Sequence, residues 1–264
     1  MTAEPVPAAG LAGVLGDRAW LRRTEPFPHV VAHDVFTGAC YARLAGALRS
    51  LLARGLSERP DPRRFARNIP GYDSYGMGFP ADAPEPVGLF LSPEWRDLVA
   101  GLFGVPRTPY VFAGAHHHAP GSADGFVHND LNPVWFVRSA HGETRTPEPE
   151  RCAYKDGAGP LADAEKIEVV RGVAVLFFLL NDGWRRGDGG ELGLYRGPAA
   201  AADRPDAVVP PVNNSLVAFE CTPRSYHAFR RNVRSSRTSI IMWVHRPMAD
   251  ADAVFGHDAL ERWA

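Results

Sequence analysis

His128 and Asp130 stand two residues apart in the stretch Gly125-Phe126-Val127-His128-Asn129-Asp130-Leu131. On an extended strand, side chains two apart share a face. The imidazole and the carboxylate would then aim at one point, with Asn129 turned away. Together they are two of the three ligands of a 2-His-1-carboxylate site for ferrous iron. The same spacing also occurs in surface His–Asp pairs, and a chain with ten histidines contains some by chance. A third ligand has to come from a remote segment. His227, flanked by Tyr226, Ala228 and Phe229, should be at least partly buried, where its ring nitrogens need partners. A metal would satisfy one of them, and so would an ordinary hydrogen bond in the core.

Arg237 and Ser239 follow, again two apart, at the head of the apolar run Ile240-Ile241-Met242-Trp243-Val244. A guanidinium buried beside such a run needs an anionic partner. It can hold a carboxylate by two parallel hydrogen bonds, and the neighbouring hydroxyl adds a third. The other placement for Arg237 is in solvent, as part of a basic loop with Arg230, Arg231 and Arg234.

The elements that must carry these residues are mostly short strands. Phe27 to Val31 reads as a strand. Thr37 caps a helix whose Leu44, Leu48, Leu51 and Leu52 recur at one-face spacing and which stops near Gly55. Ser92 and Pro93 open a second helix running to Phe103. From Pro109 the pattern turns to β: Tyr110 to His118, the His128 strand continuing to about Val137, Ile167 to Val170, Val173 to Leu180 after a break at Gly172, Glu191 to Tyr195, Ser215 to Glu220, Tyr226 to Phe229 and Arg237 to His245. The run from Val173 is apolar on both faces and should be deeply buried. Segments 57–86, 139–166 and 197–213 lack a period and read as loop insertions; Tyr72, Tyr75 and Met77 in the first are candidates to line a pocket. Many short strands with frequent turns predict a sandwich or barrel with helices packed outside.

Length and composition fit this. The chain has 264 residues, 45% hydrophobic and 22% charged, enough for one sizeable core. We expect a loosely ordered arm over 1–25 and a single domain over 26–264. A net charge of −1 gives no electrostatic reason to expect nucleic acid or an acidic membrane as partner. No apolar run reaches the length of a membrane span, and residues 1–16 lack the basic start and apolar block of a signal peptide. Cys40, Cys152 and Cys221 are too scattered for a metal or disulfide framework and read as small core residues of a reducing compartment. A cytoplasmic protein, monomeric or homodimeric, is expected.

Taken in order, five pieces resemble the iron(II)/2-oxoglutarate dioxygenase superfamily, in its prolyl-hydroxylase-like branch. Pro26-Phe27-Pro28-His29-Val30-Val31 is similar to the family's opening strand. His118-Ala119-Pro120-Gly121 sits where the family often has Tyr-x-x-Gly. His128-Asn129-Asp130 matches its H-x-D. Val175 to Asp182, followed by Gly189-Gly190-Glu191-Leu192, is similar to its buried strand and Gly-Gly-Glu segment. His227 with Arg237 and Ser239 is similar to its distal ligand and R-x-S.

The resemblance spans residues 26 to 246. It implies a double-stranded β-helix, a cupin-like jelly roll that is mainly β with packed helices. His128, Asp130 and His227 would hold Fe(II), and Arg237 and Ser239 the far carboxylate of 2-oxoglutarate. His118 would stand for the usual cosubstrate-facing tyrosine, with His116 or His117 in that role if the alignment slips. With O2 as the other cosubstrate, the implied activity is hydroxylation of an unactivated C–H bond of a small molecule, a free amino acid or biosynthetic intermediate, with 2-oxoglutarate converted to succinate and CO2. The alternatives are desaturation, cyclisation or halogenation on a carrier- or peptide-bound substrate, or a non-catalytic jelly roll that binds metal or 2-oxoglutarate. Related halogenases carry Gly or Ala in place of the carboxylate ligand, whereas this chain has Asp130.

Overall fold

The computed structural model describes residues 10–16, 19–67, 69–199 and 204–262. It opens with one helical turn, α1 (Leu11–Val14), then β1 (Leu21–Arg23), β2 (His29–Ala32), helix α2 (Gly38–Leu52), and the short strands β3 (Leu56–Ser57), β4 (Phe65–Ala66) and β5 (Tyr75–Gly78). Helix α3 (Pro93–Phe103) precedes β6 (Val111–His118), β7 (Pro133–Val137), β8 (Lys166–Phe178), β9 (Leu192–Tyr195), β10 (Ala207–Val209), β11 (Ser215–Glu220), β12 (Tyr226–Phe229) and β13 (Arg237–Pro247), and α4 (Met248–Phe255) follows. Both long helices start on a side-chain cap: Thr37 Oγ1 accepts from the Cys40 amide and Ser92 Oγ from the Trp95 amide. Gly104, at φ 68°, ends α3 in the left-handed conformation.

The strands form two sheets. The larger runs β1-β2-β11-β8-β13-β6-β5-β4-β3, with β7 also paired to β8; the smaller runs β10-β9-β12. Strand β8 organises both cores, because its side chains alternate between faces. Val173, Val175 and Phe177 pack with Leu44 and Leu48 of α2, Trp95 and Val99 of α3, and Ile240. Ala174 and Phe178 point the other way and pack with Leu192 and Leu194 of the small sheet and with Val217 and Phe219. Each apolar side chain so buried contributes about 1.5–3 kcal/mol. This double-stranded β-helix with helices on one sheet agrees with the expectation from sequence.

Several local expectations need correction. Ile167–Val170 and Val173–Leu180 are not two strands but one, β8. The glycine read as a break sits in a β-bulge: the β13–β8 register slips between Val244 and His245, so that Val173 and Arg171 are paired and Gly172 is skipped. A Cβ on Gly172 would lie 2.8 Å from Val105 Cγ1, so the backbone can approach there only without a side chain. The His128 stretch is not a strand. Asn129 Oδ1 accepts from the Leu131 amide and the Asn132 amide donates to the Asp130 carbonyl, a local turn that competes with a ladder. His128 keeps a single antiparallel bridge, to His227.

Segment 57–86 begins on the last residue of β3 and contains β4 and β5, and 197–213 contains β10, with residues 200–203 outside the described ones. Segment 139–166 is closely packed in part: Cys152 is buried, and Tyr154 packs on the cluster of Tyr110, Val134, Phe136 and Val169. Within 1–25, residues 1–9, 17 and 18 lie outside the described residues, while β1 pairs in register with β2. All three cysteines are free and buried. Among the described residues no helix is long and apolar enough to cross a membrane.

Candidate metal centre

His128 and Asp130 reach the space between the sheets from the coil before β7, and His227 reaches it from β12. Two backbone hydrogen bonds clamp these segments together, His128 N–H to His227 O at 3.1 Å and His227 N–H to His128 O at 2.8 Å. The rings stand 4.4 Å apart by centroid. Nε2 of His227 is 3.4 Å from Asp130 Oδ2, and Nε2 of His128 is 3.9 Å from Oδ1. The three ligand atoms lie within 4.8 Å of one another.

The tautomers follow from the neighbours. His128 Nδ1–H donates to the Phe126 carbonyl at 2.9 Å and His227 Nδ1–H to the Ser225 carbonyl at 3.0 Å. Both Nε2 lone pairs are thereby left for the common centre, the arrangement that metal-binding histidines adopt. Burial holds the His128 imidazole down to a pKa of about 4, with His227 and Arg171 adding to that and Asp130 opposing it, so it is neutral and able to ligate at neutral pH.

Asp130 is held from both sides. Arg171 Nη1 donates to Oδ1 and Trp243 Nε1 to Oδ2, each at 2.8 Å. Burial pushes this carboxyl up, but the Arg171 guanidinium beside it outweighs that and leaves the group well below the usual carboxylate range. Behind Arg171 a buried relay continues. Its Nε donates to Tyr154 Oη at 3.3 Å, the Tyr154 hydroxyl donates to His245 Nε2 at 2.9 Å, and His245 Nδ1–H donates to the Tyr110 carbonyl at 2.9 Å.

Arg237 enters the same cavity from the start of β13. It is 3% exposed. Nη1 donates to Ser239 Oγ at 3.0 Å, while Nε and Nη2 are buried with no partner among the described residues. Among the described residues no carboxylate neutralises it, and burial lowers its pKa to about 10, with Tyr72 opposing. Its guanidinium carbon lies 5.0 Å from the Phe178 ring centroid and 5.5 Å from that of Phe229. A buried cation with unused donors in a fork is stable only if an anion joins it. The residues therefore fit a bidentate carboxylate.

The cavity between these groups is lined by His128, Asp130, His227, Arg237, Arg171, Lys155, His116 and a largely apolar remainder that includes Tyr72, Phe126, Phe229 and Trp243. Of the three consecutive histidines it is therefore His116 that faces the cavity. His118 shares its strand face and lies opposite Arg237 in register. Its ring, however, is stacked on Phe229 at 3.6 Å and its Nδ1 bonds to the Asp73 carbonyl, which places it behind the cavity wall. His117 turns to the other face and contacts Thr238 Oγ1. Ser239 reaches the cavity only through Arg237. Tyr72 lines it; Tyr75 instead bonds with Glu58 and Arg67, and Met77 packs against the helix-side core.

Arg171, Tyr154 and Trp243 did not stand out by spacing. Arg171 carries a usable signal: it is a charged residue inside the otherwise apolar Val169-Val170-Arg171-Gly172-Val173, the same anomaly that marks Arg237.

Residues 150–245 match the sequence family of the 2OG-Fe(II) oxygenase superfamily. The match contains His227, Arg237, Ser239 and Arg171, and stops short of His128 and Asp130. No match is found among curated protein sequences. Solved structures with the same fold include a prolyl 4-hydroxylase from Phytophthora capsici (19% identity, 89% of this chain and 63% of that one, TM-score 0.54). Another is a Trichoplax adhaerens prolyl hydroxylase in complex with a hypoxia-inducible-factor peptide fragment (15%, 86% and 86%, TM-score 0.53). A third is a Pseudomonas putida prolyl-4-hydroxylase (17%, 83% and 92%, TM-score 0.51).

Proposed function

We propose that this chain, a 2OG-Fe(II) oxygenase, hydroxylates an unactivated C–H bond of a small molecule, with His128, Asp130 and His227 as the iron ligands and Arg237 as the anchor of 2-oxoglutarate. When bound, iron, 2-oxoglutarate and dioxygen supply the oxidation: the cosubstrate loses CO2 to become succinate, and one oxygen atom enters the substrate C–H bond.

The chain's own residues do the rest. The Phe126 and Ser225 carbonyls fix the two imidazoles with Nε2 inward. Arg171 and Trp243 hold the carboxylate of Asp130 in place. Arg237, braced by Ser239, takes the far carboxylate in two-point fashion. His116 and Tyr72 flank the cosubstrate space. Tyr72 and Phe126, with ring centroids 5.7 Å apart, both line the cavity, and their rings limit water there.

One observation carries this proposal: a His–Asp–His cluster and a buried guanidinium with no counter-ion among the described residues open into one cavity. A small substrate is favoured because side chains from the two longer insertions, Ile69 and Tyr72 from 57–86 and Lys155 from 139–166, line the cavity. The competing proposal is a peptide substrate, as in the hypoxia-inducible-factor complex above.

A turnover screen tests the choice. Ferrous enzyme, 2-oxoglutarate and air are offered free amino acids, nucleotides, biosynthetic intermediates and proline-containing peptides. Succinate release with a one-oxygen mass gain in a small molecule is expected. Oxygen gain confined to peptides overturns the small-molecule proposal, and no succinate under any condition overturns catalysis.

A further inference from the structure

We propose that Tyr72 is a specificity-determining residue for the diacid, its phenol hydroxyl donating to the far carboxylate that Arg237 holds. This rests on the cosubstrate reading above and gives the 57–86 insertion a direct part in it.

Tyr72 and Arg237 line the same cavity. His118 lies opposite Arg237 in the β6–β13 register, and the Tyr72 ring packs edge-on against the His118 ring at 5.6 Å by centroid. That imidazole is stacked on Phe229, and the Arg237 guanidinium carbon lies 5.5 Å from the Phe229 centroid. Phenol and guanidinium therefore share one aromatic stack as their support, although they come from segments far apart in sequence.

The Tyr72 hydroxyl has no hydrogen-bond partner among the described residues. A tyrosine hydroxyl packed into protein ordinarily finds one. Nε and Nη2 of Arg237 are in the same state. Both groups lack an acceptor. Burial pushes the phenol up to about 12, with Arg237 opposing and Asp130 reinforcing, so it is protonated and a donor at neutral pH. A carboxylate has two oxygens and about four acceptor sites. It can take the two parallel bonds of the guanidinium and still accept from the phenol.

The ring is held in place before any ligand arrives. The next residue, Asp73, is bound on three sides: its carbonyl accepts from His118 Nδ1–H at 2.9 Å, Oδ2 from the Ala123 amide at 3.0 Å, and Oδ1 from Arg67 Nη1 at 2.7 Å. The ring then rests on Gly125, where a Cβ would lie 2.8 Å from Tyr72 Cε2. A donor fixed in this way loses little freedom when the diacid binds.

Calorimetric titration of the Mn(II)-loaded protein tests this with two probes: 2-oxoglutarate, and oxalate, which can chelate a metal and has no far carboxylate. Tyr72→Phe keeps the ring and removes only the hydroxyl. It should weaken 2-oxoglutarate binding about tenfold or more, on the scale of one hydrogen bond to a charged group. Oxalate binding and the affinity for Mn(II) itself should stay within twofold. The melting temperature of the ligand-free protein should not fall, because the hydroxyl bonds nothing in the fold. A 2-oxoglutarate affinity within twofold of wild type would overturn the proposal. So would an equal loss for both probes, or a fall in melting temperature together with Mn(II) affinity, since either makes Tyr72 a structural residue only. Failure of the underlying reading looks different: Arg237→Ala then leaves 2-oxoglutarate binding unchanged and the wild-type enzyme releases no succinate in air, and the proposal falls with it.

Discussion

The Arg171 guanidinium donates to Oδ1 of Asp130 at 2.8 Å, so a proposed metal ligand from the coil before β7 is oriented by a residue in the middle of β8. Groups behind a ligand set its direction and basicity, and losing one typically costs about 10–100-fold in metal affinity. Arg171→Met, which keeps the aliphatic bulk over Trp243, should weaken Mn(II) or Fe(II) binding by that factor. The check is a metal titration followed by calorimetry or electron paramagnetic resonance. An unchanged dissociation constant would show that Asp130 needs no such support.

Arg237 yields a prediction about the cosubstrate. Its Nε and Nη2 are buried without partners among the described residues, a desolvation cost that a diacid bound there, as proposed, would relieve. Binding should raise the melting temperature through linkage. Truncating one member of a buried charged pair costs about 2–5 kcal/mol, so Arg237→Ala should raise the half-saturating 2-oxoglutarate concentration by roughly two orders of magnitude. Arg237→Lys should fall between, because an ammonium is a point charge without the fork. Steady-state succinate formation against 2-oxoglutarate concentration measures both.

On the proposed ligand set Asp130 serves twice, as a metal ligand and as the counter-ion of Arg171. Asp130→Ala should abolish iron binding and turnover. It should also destabilise the fold, by about 3–5 kcal/mol for a buried charge left alone. Removing both partners in Asp130→Ala/Arg171→Met should recover much of the stability and none of the activity. Urea unfolding of the two variants, read beside succinate assays, separates the roles. Full turnover in Asp130→Ala would be incompatible with the ligand set.

That His128, Asp130 and His227 gather at one cavity with Arg237 was more legible in the sequence than the backbone that carries them. Pairs two apart, His128 with Asp130 and Arg237 with Ser239, acquire meaning only through their order among five pieces that resemble one family, since each spacing alone also fits a surface placement. The helices are legible through their caps at Thr37 and Ser92 and through one-face leucines. Strand continuity is not. Gly172 reads as a break, whereas in the fold it occupies a bulge against Val105, and splitting β8 there hid Arg171 at a strand end. The Asn129 side chain rebuilds its own turn, which no period-two reasoning detects. Strands as short as β3 and β4 have no period at all; tertiary pairing makes them. The choice among His116, His117 and His118 depended on register with β13, which is long-range information.

His245 provides the pH prediction. It is fully buried between Tyr110, Phe136 and Tyr154, with the Arg171 guanidinium bonded to the same Tyr154 hydroxyl. Burial lowers its pKa from 6.5 to about 3; the bond to the Tyr110 carbonyl opposes this and Arg171 reinforces it. The folded imidazole thus stays neutral at pH values where the unfolded chain takes up a proton. Stability from this group is complete above the unfolded value near 6.5 and is lost progressively as pH falls toward 3, by up to about 1.4 kcal/mol per pH unit. His29, His116, His117 and His118 are also lowered by burial and add to the same acid limb, so the informative quantity is the difference between wild type and His245→Gln. Urea unfolding of metal-free protein at pH 6.5 and 4.5 should show the wild type losing about 2–3 kcal/mol more than the variant over that interval. The variant starts from a lower stability, because the Tyr154 relay is altered, but its slope against pH is the test. Parallel slopes for the two proteins would mean that His245 is protonated in the fold.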